Sequence, residues 1–350
     1  MNKLGPLIIN IDSTDISSNE ERLLRKKLIG GVILFEHNYL NKKQIKKLID
    51  DIKKINNNIL ISVDHEGGRV QRFKKEFTNL PSFESIGKVY AKNEKLAEEL
   101  AYSSGYVAGY ELKSIGIDIN FSPVIDLSSK SKVLNKRTFS SITKTVCKLA
   151  SKYITGLIDN GIIPVLKHYP GHGLVVSDTH SEICSSELPL NEIDKHMSVF
   201  KDITNNFNIP IMTSHINFPN IDSNPVTTSS KWLKIITKSN FENQIFFISD
   251  DLEMSGISKY HTNLSKVEIL KQALHSGCSM AIITTMQDQT VINEKNSYLF
   301  YQTEYFDNIQ TDNFKENYIN LPCFENIIYN KGSKSLYQDS LSKIIENRDI

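Results

Sequence analysis

Eight short apolar segments, separated by stretches of helical character, constrain the fold of this 350-residue chain more than any other feature. In the intervening stretches, such as residues 96–112 and 146–158, apolar residues recur about 3.6 positions apart, as in amphipathic helices. Short apolar runs are typical of parallel strands buried on both faces, and the helices supply the crossovers that such strands need. The segments cover residues 6–12, 31–35, 59–63, 117–124, 162–166, 209–213, 244–249 and 279–284.

The number and order of these segments predict an α/β fold, a (β/α)8 TIM barrel that forms a single domain over residues 1–350. Residues 285–350 are polar and rich in asparagine, with a weak amphipathic segment at 336–345. Because they hold too few apolar residues for a second core, we expect them to form outer helices and a tail of the same domain.

Polar and ionisable residues follow five of the eight segments directly. In a barrel the ends of the strands converge on the C-terminal face, where the active sites of this fold are built. We therefore expect residues that are far apart in sequence to line one pocket. They are Asp64 and Glu66, Asp126, Lys167 and His168, Ser214 and His215, and Asp250 and Asp251.

The composition narrows the class of partner. A formal net charge of +1 provides no broad field to attract nucleic acid. The sequence shows neither a signal-peptide pattern nor about 18 consecutive apolar residues, so we expect a cytoplasmic protein without a membrane partner. The four cysteines form no C-x-x-C pair and are expected to be reduced thiols. With 39% hydrophobic and 23% charged residues, we expect a folded globular enzyme or binding protein.

The segment from Lys167 to His180 has the highest density of chemically active side chains. Asp178 and His180 would face the same side of a locally extended chain. The carboxylate would then raise the pKa of the imidazole toward neutral pH, where a general acid and base works best. His172, between two glycines, is predicted to tie the loop down through hydrogen bonds.

The same segment leaves a metal site open as an alternative, because histidine and aspartate are ligands for zinc. The candidate ligands would be His168, His172, Asp178 and His180. Lys167 favours a metal-free site, since its ammonium would be repelled by a dication. The first strand also ends in Ile11-Asp12-Ser13, at a place where metal-dependent barrel hydrolases usually carry a histidine pair.

Two further motifs follow apolar segments. Because side chains alternate along a strand, only one of Asp250 and Asp251 can point into the pocket. That acid could be a nucleophile, base, ligand or anchor, and Asp251 fits a helix N-cap or first-turn position. Residues 63–73 place acids and arginines around a Gly-Gly turn, which suits the binding of sugar hydroxyls. Within it, internal salt bridging is expected of Glu66 and Arg69.

In this order the motifs resemble glycoside hydrolase family 3, specifically its single-domain bacterial β-N-acetylhexosaminidases of peptidoglycan recycling. The Lys-His-x-Pro-Gly-His-Gly run that leads to Asp-x-His is the most specific of them. The resemblance covers about the first 285 residues. It is carried by residues 30–35, 64–72, 120–126, 137–139, 167–180, 212–215 and 249–252.

The resemblance implies a retaining, cofactor-free hydrolase that releases N-acetylglucosamine from anhydro-N-acetylmuramoyl peptides in the cytosol. Asp250 would be the nucleophile, and His180, supported by Asp178, the general acid and base. Sugar binding would fall to Asp64, Arg72, Arg137, Lys167 and His168.

Some positions depart from the family pattern, and other activities stay open. His37 stands where an arginine is usual, His65 where a glutamine is common and Ser279 where an acid is expected. Thr284 and Thr285 replace a Cys-Asn pair. These departures affect the predicted fit of the acetamido group and the aglycone. The alternatives are another β-glycoside as substrate, transfer of the sugar to phosphate, a sugar-binding protein without activity, and a metal-dependent barrel hydrolase.

Overall fold

A computed structural model describes residues 4–128, 131, 133–179, 181–284 and 332–347. The strands are β1 Leu7–Asn10, β2 Ile29–Leu34, β3 Leu60–Val63, β4 His65–Gly67, β5 Val70–Gln71, β6 Ile119–Asn120, β7 Ile163–Pro164, β8 Leu166–Tyr169, β9 Cys184–Ser185, β10 Ile211–Thr213, β11 Ile216–Asn217, β12 Phe247–Asp251 and β13 Cys278–Ile283. The helices are α1 Ser18–Leu24, α2 Lys42–Ile55, α3 Phe83–Tyr90, α4 Glu94–Ile115, α5 Thr143–Ile158, α6 Leu190–Thr204, α7 Thr237–Asn240, α8 Ser255–Ser258, α9 Lys266–Ser276 and, near the C-terminus, α10 Lys334–Glu346.

The main sheet of the described residues is parallel and has the order β7-β6-β3-β2-β1-β13-β12-β10-β8. Its two end strands, β7 and β8, are separated in the chain only by Val165, whose N–H donates to the carbonyls of Asn120 and Ser122 at 3.2 Å each. Val124 also forms a parallel bridge with Lys167. The sheet therefore closes on itself, and the predicted TIM barrel is confirmed.

The nine hydrogen-bonded segments correspond to the eight predicted strands. The fifth predicted strand is divided at Val165, so that Ile163–Pro164 pairs with β6 while Leu166–Tyr169 pairs with β10. The division lets one stretch of chain hydrogen bond to neighbours on both sides of the barrel and carries Lys167 and His168 to its C-terminal end.

The helices bury one face against the barrel. In α2, Ile45, Leu48, Ile49 and Ile52 are buried, while its lysines and acids form exposed pairs on the other face. The side chain of Asn41 caps this helix by accepting the N–H of Gln44. The strands have no such polar face, because β1 and β2 are buried at every position. Burial of this apolar surface is the main force that holds the barrel together.

The helix α10 packs on the outer helix α4. The ring of Tyr337 stacks on Tyr110 at 4.5 Å between centroids, and its hydroxyl donates to Glu111 at 2.9 Å. Lys343 pairs with Glu99 at 2.9 Å. The predicted amphipathic segment 336–345 thus lies within an outer helix, while the rest of the predicted outer region, residues 285–331 and 348–350, lies outside the described residues.

None of the helices in the described ranges combines the length and the apolar character that a membrane span requires.

Candidate active site

A cavity of about 700 Å³ opens at the C-terminal ends of the barrel strands. This volume is in the range of small-molecule binding sites. Its wall contains every predicted site residue that the structure describes, namely Asp64, Arg72, Arg137, Lys167, His168, Asp178 and Asp250. His180 lies outside the described residues.

Lys167 lies between two carboxylates at the base of the cavity. Its Nζ is 2.7 Å from Oδ1 of Asp64 and 2.8 Å from Oε1 of Glu66. Only 2% of the lysine side chain is exposed, so the ammonium is kept from water and depends on these acids for its hydrogen bonds. β8 brings the lysine, and the end of β3 and the β4–β5 hairpin bring the acids.

Arg137 is held by the same glutamate. Its Nε and Nη2 donate to the two oxygens of Glu66 at 2.9 and 2.7 Å, a bidentate pair that is buried at both ends. The expected salt bridging of Glu66 is thus confirmed. The salt bridge expected of Arg69 is wrong, because Nε and Nη2 of Arg69 donate to the main-chain carbonyls of Asn135 and Val133. Arg69 ties the loop that forms one wall of the cavity to the β4–β5 hairpin.

These contacts keep both buried carboxylates ionised. Burial alone would raise the pKa of Asp64, but the charges of Lys167 and Arg72 outweigh it and hold this pKa far below its usual range. For Glu66, burial again acts upward, and Arg137 and Lys167 lower the pKa overall. The base of the cavity is a network of fixed charges that can donate to and accept from a polyhydroxylated ligand.

Arg72 connects this network to an aromatic wall. Its Nη2 lies 3.2 Å from Oδ2 of Asp64, and its guanidinium lies over the ring of Phe35, 5.5 Å from the centroid. The contact with Phe35 orients the guanidinium plane while leaving its edge able to donate to a ligand.

Asp126 positions the histidine of the cavity. Its Oδ2 is 2.8 Å from Nδ1 of His168, and it also accepts the N–H groups of His168 and His172. With Nδ1 donating to the carboxylate, the ring of His168 is held in one orientation and the protein directs its Nε2. The sequence predicts that Asp126 lies at the end of a strand but does not assign it a role. The pattern that could have indicated its role in orienting His168 is an acid at the end of the strand that precedes the strand of the histidine.

His172 anchors the loop, as predicted. Its ring is buried, its N–H donates to Asp126 at 2.7 Å, and its Nε2 is 3.1 Å from the hydroxyl of Thr179. Burial and the neighbouring His168 lower its pKa to about 4. It is therefore a neutral structural group at neutral pH.

Asp178 lines the cavity on the loop that follows β8. Its carbonyl accepts the N–H groups of Ser181 and Glu182 at 3.1 and 3.0 Å, so the chain turns here rather than continuing as an extended segment. Asp178 therefore lines the same cavity as Asp64, Asp250 and Asp251.

Asp250 and Asp251 end β12 and both line the cavity, so the prediction that only one of them reaches the pocket is wrong. Oδ1 of Asp250 accepts the N–H of Asp251 at 2.8 Å. The predicted helix-capping role of Asp251 is wrong, since α8 begins only at Ser255 and the carboxylate instead accepts the N–H groups of Glu253 and Thr284. Burial raises the pKa of Asp251 to about 6 despite its hydrogen bond from Thr284.

Among the residues that the structure describes, no cluster of three or more histidine, cysteine or acidic side chains could hold a metal ion. His168 is engaged by Asp126, and His172 by Thr179.

Of the positions that depart from the family pattern, Thr284 lines the cavity, whereas Ser279 lies near the start of β13 and lines a separate pocket. His65 is fully buried beside Phe73 and Phe77, and burial lowers its pKa to about 3. Nε2 of His37 is 3.0 Å from the carbonyl of Ile11, which fixes this side chain against the loop after β1.

With this geometry in place, comparison with known proteins assigns the family. Residues 2–301 match the family described as "Glycosyl hydrolase family 3 N terminal domain". The chain belongs to glycosyl hydrolase family 3. A β-hexosaminidase from Psychromonas ingrahamii is 36% identical over 340 residues, which cover 96% of this chain and 98% of the relative. A β-hexosaminidase from Nitrosospira multiformis is 36% identical over 285 residues, 80% of each chain.

Solved structures of family 3 enzymes share the fold. Native NagZ from Neisseria gonorrhoeae superimposes with a TM-score of 0.81 at 27% identity, covering 99% of this chain and 98% of that one. The same protein in complex with N-trifluoroacetyl-D-glucosamine gives a TM-score of 0.80 at 26% identity, with the same coverage. The protein is a β-N-acetylhexosaminidase of family 3, with a saccharide as substrate.

Proposed function

We propose that this family 3 enzyme releases terminal β-linked N-acetylglucosamine from muropeptides, with retention of configuration and without a metal or other cofactor. The observation that carries the proposal is the cavity, which joins Asp250 to an ordered network of Asp64, Arg72 and Lys167. Reaction in the cytoplasm and a single domain over residues 1–350 belong to the same proposal.

The sugar would be held by the fixed charges at the base of the cavity. Carboxylate oxygens of Asp64 can accept from two adjacent hydroxyls, while Lys167 and Arg72 donate to the same oxygens of the sugar. His168, oriented by Asp126, contributes a directed ring nitrogen. Arg137 acts chiefly through Glu66, because their bidentate pair already uses the Nε–Nη2 edge of its guanidinium.

Asp250 would attack the anomeric carbon while the leaving oxygen takes a proton from His180. The glycosidic C–O bond breaks, and a bond between the Asp250 carboxylate and the anomeric carbon forms. His180 then removes a proton from water, which displaces Asp250 and restores both groups. In this scheme Asp178 supports the imidazole and its imidazolium form.

The decisive experiment measures hydrolysis of an aryl β-N-acetylglucosaminide beside the glucoside and xyloside. We expect the N-acetylglucosaminide to be strongly preferred, and Asp250→Ala to lose at least about 10³-fold in kcat, because no other carboxylate is proposed to form the covalent intermediate. Glu253→Ala is the matched control, since this nearby acid pairs with Lys266 away from the sugar network. Normal turnover by the Asp250 variant would overturn the mechanism.

The finer claims need their own measurements. Proton NMR of the first product shows the β-anomer if configuration is retained. Free N-acetylglucosamine, formed equally with and without phosphate, excludes the phosphorolytic alternative. A higher kcat/KM for an N-acetylglucosaminyl-anhydromuramoyl peptide than for chitobiose supports the muropeptide, and loss of activity with a chelator would revive the metal-dependent alternative.

A further inference from the structure

The peptide group between Asp250 and Asp251 is held more tightly than a strand end requires. The N–H of Asp251 donates to Oδ1 of Asp250 at 2.8 Å, which is a contact with the proposed nucleophile itself. A hydrogen bond from an N–H to a carboxylate favours the ionised form and limits its rotation.

The side chain of Asp251 anchors this peptide to the neighbouring strand. The hydroxyl of Thr284 donates to Oδ2, and the N–H of Thr284, just past the end of β13, donates to Oδ1 at 3.3 Å. Oδ1 also accepts the N–H of Glu253 at 3.1 Å. Both oxygens are thus used, and the carboxyl bridges the ends of β12 and β13.

The carbonyl of Asp251 is fixed from the opposite side. It accepts a hydrogen bond from Nε2 of His215 at 2.9 Å, and this ring is 1% exposed. Nδ1 of His215 is 2.9 Å from the hydroxyl of Thr227, which donates to the carbonyl of Ser214. The histidine is therefore held by residues after β10, and the ends of three neighbouring strands meet at Asp251, whose N–H and carbonyl belong to two successive peptide groups.

We propose that Asp251, Thr284 and His215 are positioning residues for the glycosyl-transfer step, which fix the Asp251 N–H so that it holds the Asp250 carboxylate toward the anomeric carbon. The proposal rests on the proposed role of Asp250 as nucleophile. None of the three touches the sugar in this scheme. Their effect is on the orientation of the attacking oxygen, where small misplacements are costly.

The test compares Thr284→Val, which is close in shape but lacks the hydroxyl, with Thr284→Ser, which keeps it. For the aryl N-acetylglucosaminide we expect Thr284→Val to lose roughly 10- to 100-fold in kcat with KM changed by less than about twofold. Thr284→Ser should retain most of the activity. The thermal midpoint of both variants should stay close to that of the wild type, which separates positioning from loss of fold.

A second pair of variants tests the hydrogen bond from His215 to the carbonyl of Asp251. His215→Gln keeps an N–H donor for the Asp251 carbonyl and should be more active than His215→Phe. A wild-type kcat for Thr284→Val, or losses of kcat that follow losses of thermal midpoint across all four variants, would overturn the inference. An inactive wild type would overturn the proposed function and this inference together, whereas an active wild type with an unaffected Thr284→Val overturns this inference alone.

Discussion

At the scale of single residues, Lys167 makes the strongest test of the charge network. Lys167→Met would leave Asp64 and Glu66 buried without the ammonium that lies 2.7 and 2.8 Å from them. We expect a loss of about 3 kcal/mol in the free energy of unfolding, since each carboxylate loses a charged hydrogen-bond donor and keeps only its arginine partner, together with loss of sugar binding. Denaturant unfolding and an assay at high substrate concentration measure the two effects.

Lys47→Met is the matched control for this substitution. Lys47 pairs with Asp51 at 2.8 Å, but 69% of the lysine side chain is exposed, so its removal should leave the free energy of unfolding almost unchanged. Adding Glu66→Gln to Lys167→Met should lower the stability further, because the buried Arg137 guanidinium would then lose its carboxylate partner. Equal costs for the two lysines would contradict the view that burial gives the Lys167 contacts their importance.

At the scale of elements, the outer helix α10 should contribute stability and leave catalysis untouched. The Tyr337 hydroxyl donates to Glu111, which also accepts the N–H and hydroxyl of Thr78 at 3.0 and 3.1 Å. Tyr337→Phe should therefore cost about 1–2 kcal/mol in unfolding free energy, because the carboxylate keeps its other donors. Its kcat and KM should match those of the wild type.

Leu336→Ala is the control on the same helix, because this side chain is exposed and alanine favours helix. We expect its unfolding free energy to change by less than about 0.5 kcal/mol. A change of kcat in Tyr337→Phe would show that α10 is coupled to the cavity.

The strands, and the barrel that they form, are the part of this molecule that the sequence predicts best. A buried strand shows itself as an apolar run, and a polar residue that ends the run marks the C-terminal face, so the barrel and the membership of the cavity follow from local pattern. The hydrogen-bond or ion-pair partner of each polar residue does not follow from local pattern. Glu66 contacts Arg137 and Lys167, which come from distant parts of the chain, and the sequence around Glu66 does not indicate either partner.

Asp251 shows why local rules failed at the cavity. Its position after a strand suits a helix cap, but the helix starts later and Thr284, on the adjacent strand end, supplies the hydrogen bond instead. The roles of Arg69 and Asp126 likewise depend on partners, Val133 and His168, that come close only in the closed barrel.

At the scale of the whole molecule, two buried neutral histidines should make the fold sensitive to mild acid. Burial lowers the pKa of His65 to about 3, and burial with the charge of His168 lowers that of His172 to about 4. In the unfolded chain both titrate near pH 6.5, so below that pH the unfolded state binds more protons and stability falls. The fall continues until the pH reaches the folded-state values.

Asp251 acts in the opposite direction over part of this window. Its folded-state pKa of about 6 lies above the value of 3.8 for a free side chain, so between these values the folded state binds the extra proton and gains stability as pH falls. For His65, His172 and Asp251 taken together, the free energy of unfolding should fall by about 1–2 kcal/mol between pH 7 and 5.5. Below pH 4 the lowered pKa values of Asp64, Glu66 and Asp126 add a further loss.

His65→Gln isolates one contribution, because glutamine does not titrate. Its unfolding free energy should fall by about 1 kcal/mol less than that of the wild type between pH 7 and 5.5, whatever its stability at pH 7. His275→Gln, at the exposed end of α9, should change the slope in the same direction but by less, because burial also lowers the pKa of this more exposed histidine. Denaturant unfolding at both pH values measures these slopes. A slope for His65→Gln equal to that of the wild type would show that His65 accepts its proton inside the fold, and that the aromatic residues around it do not keep it neutral.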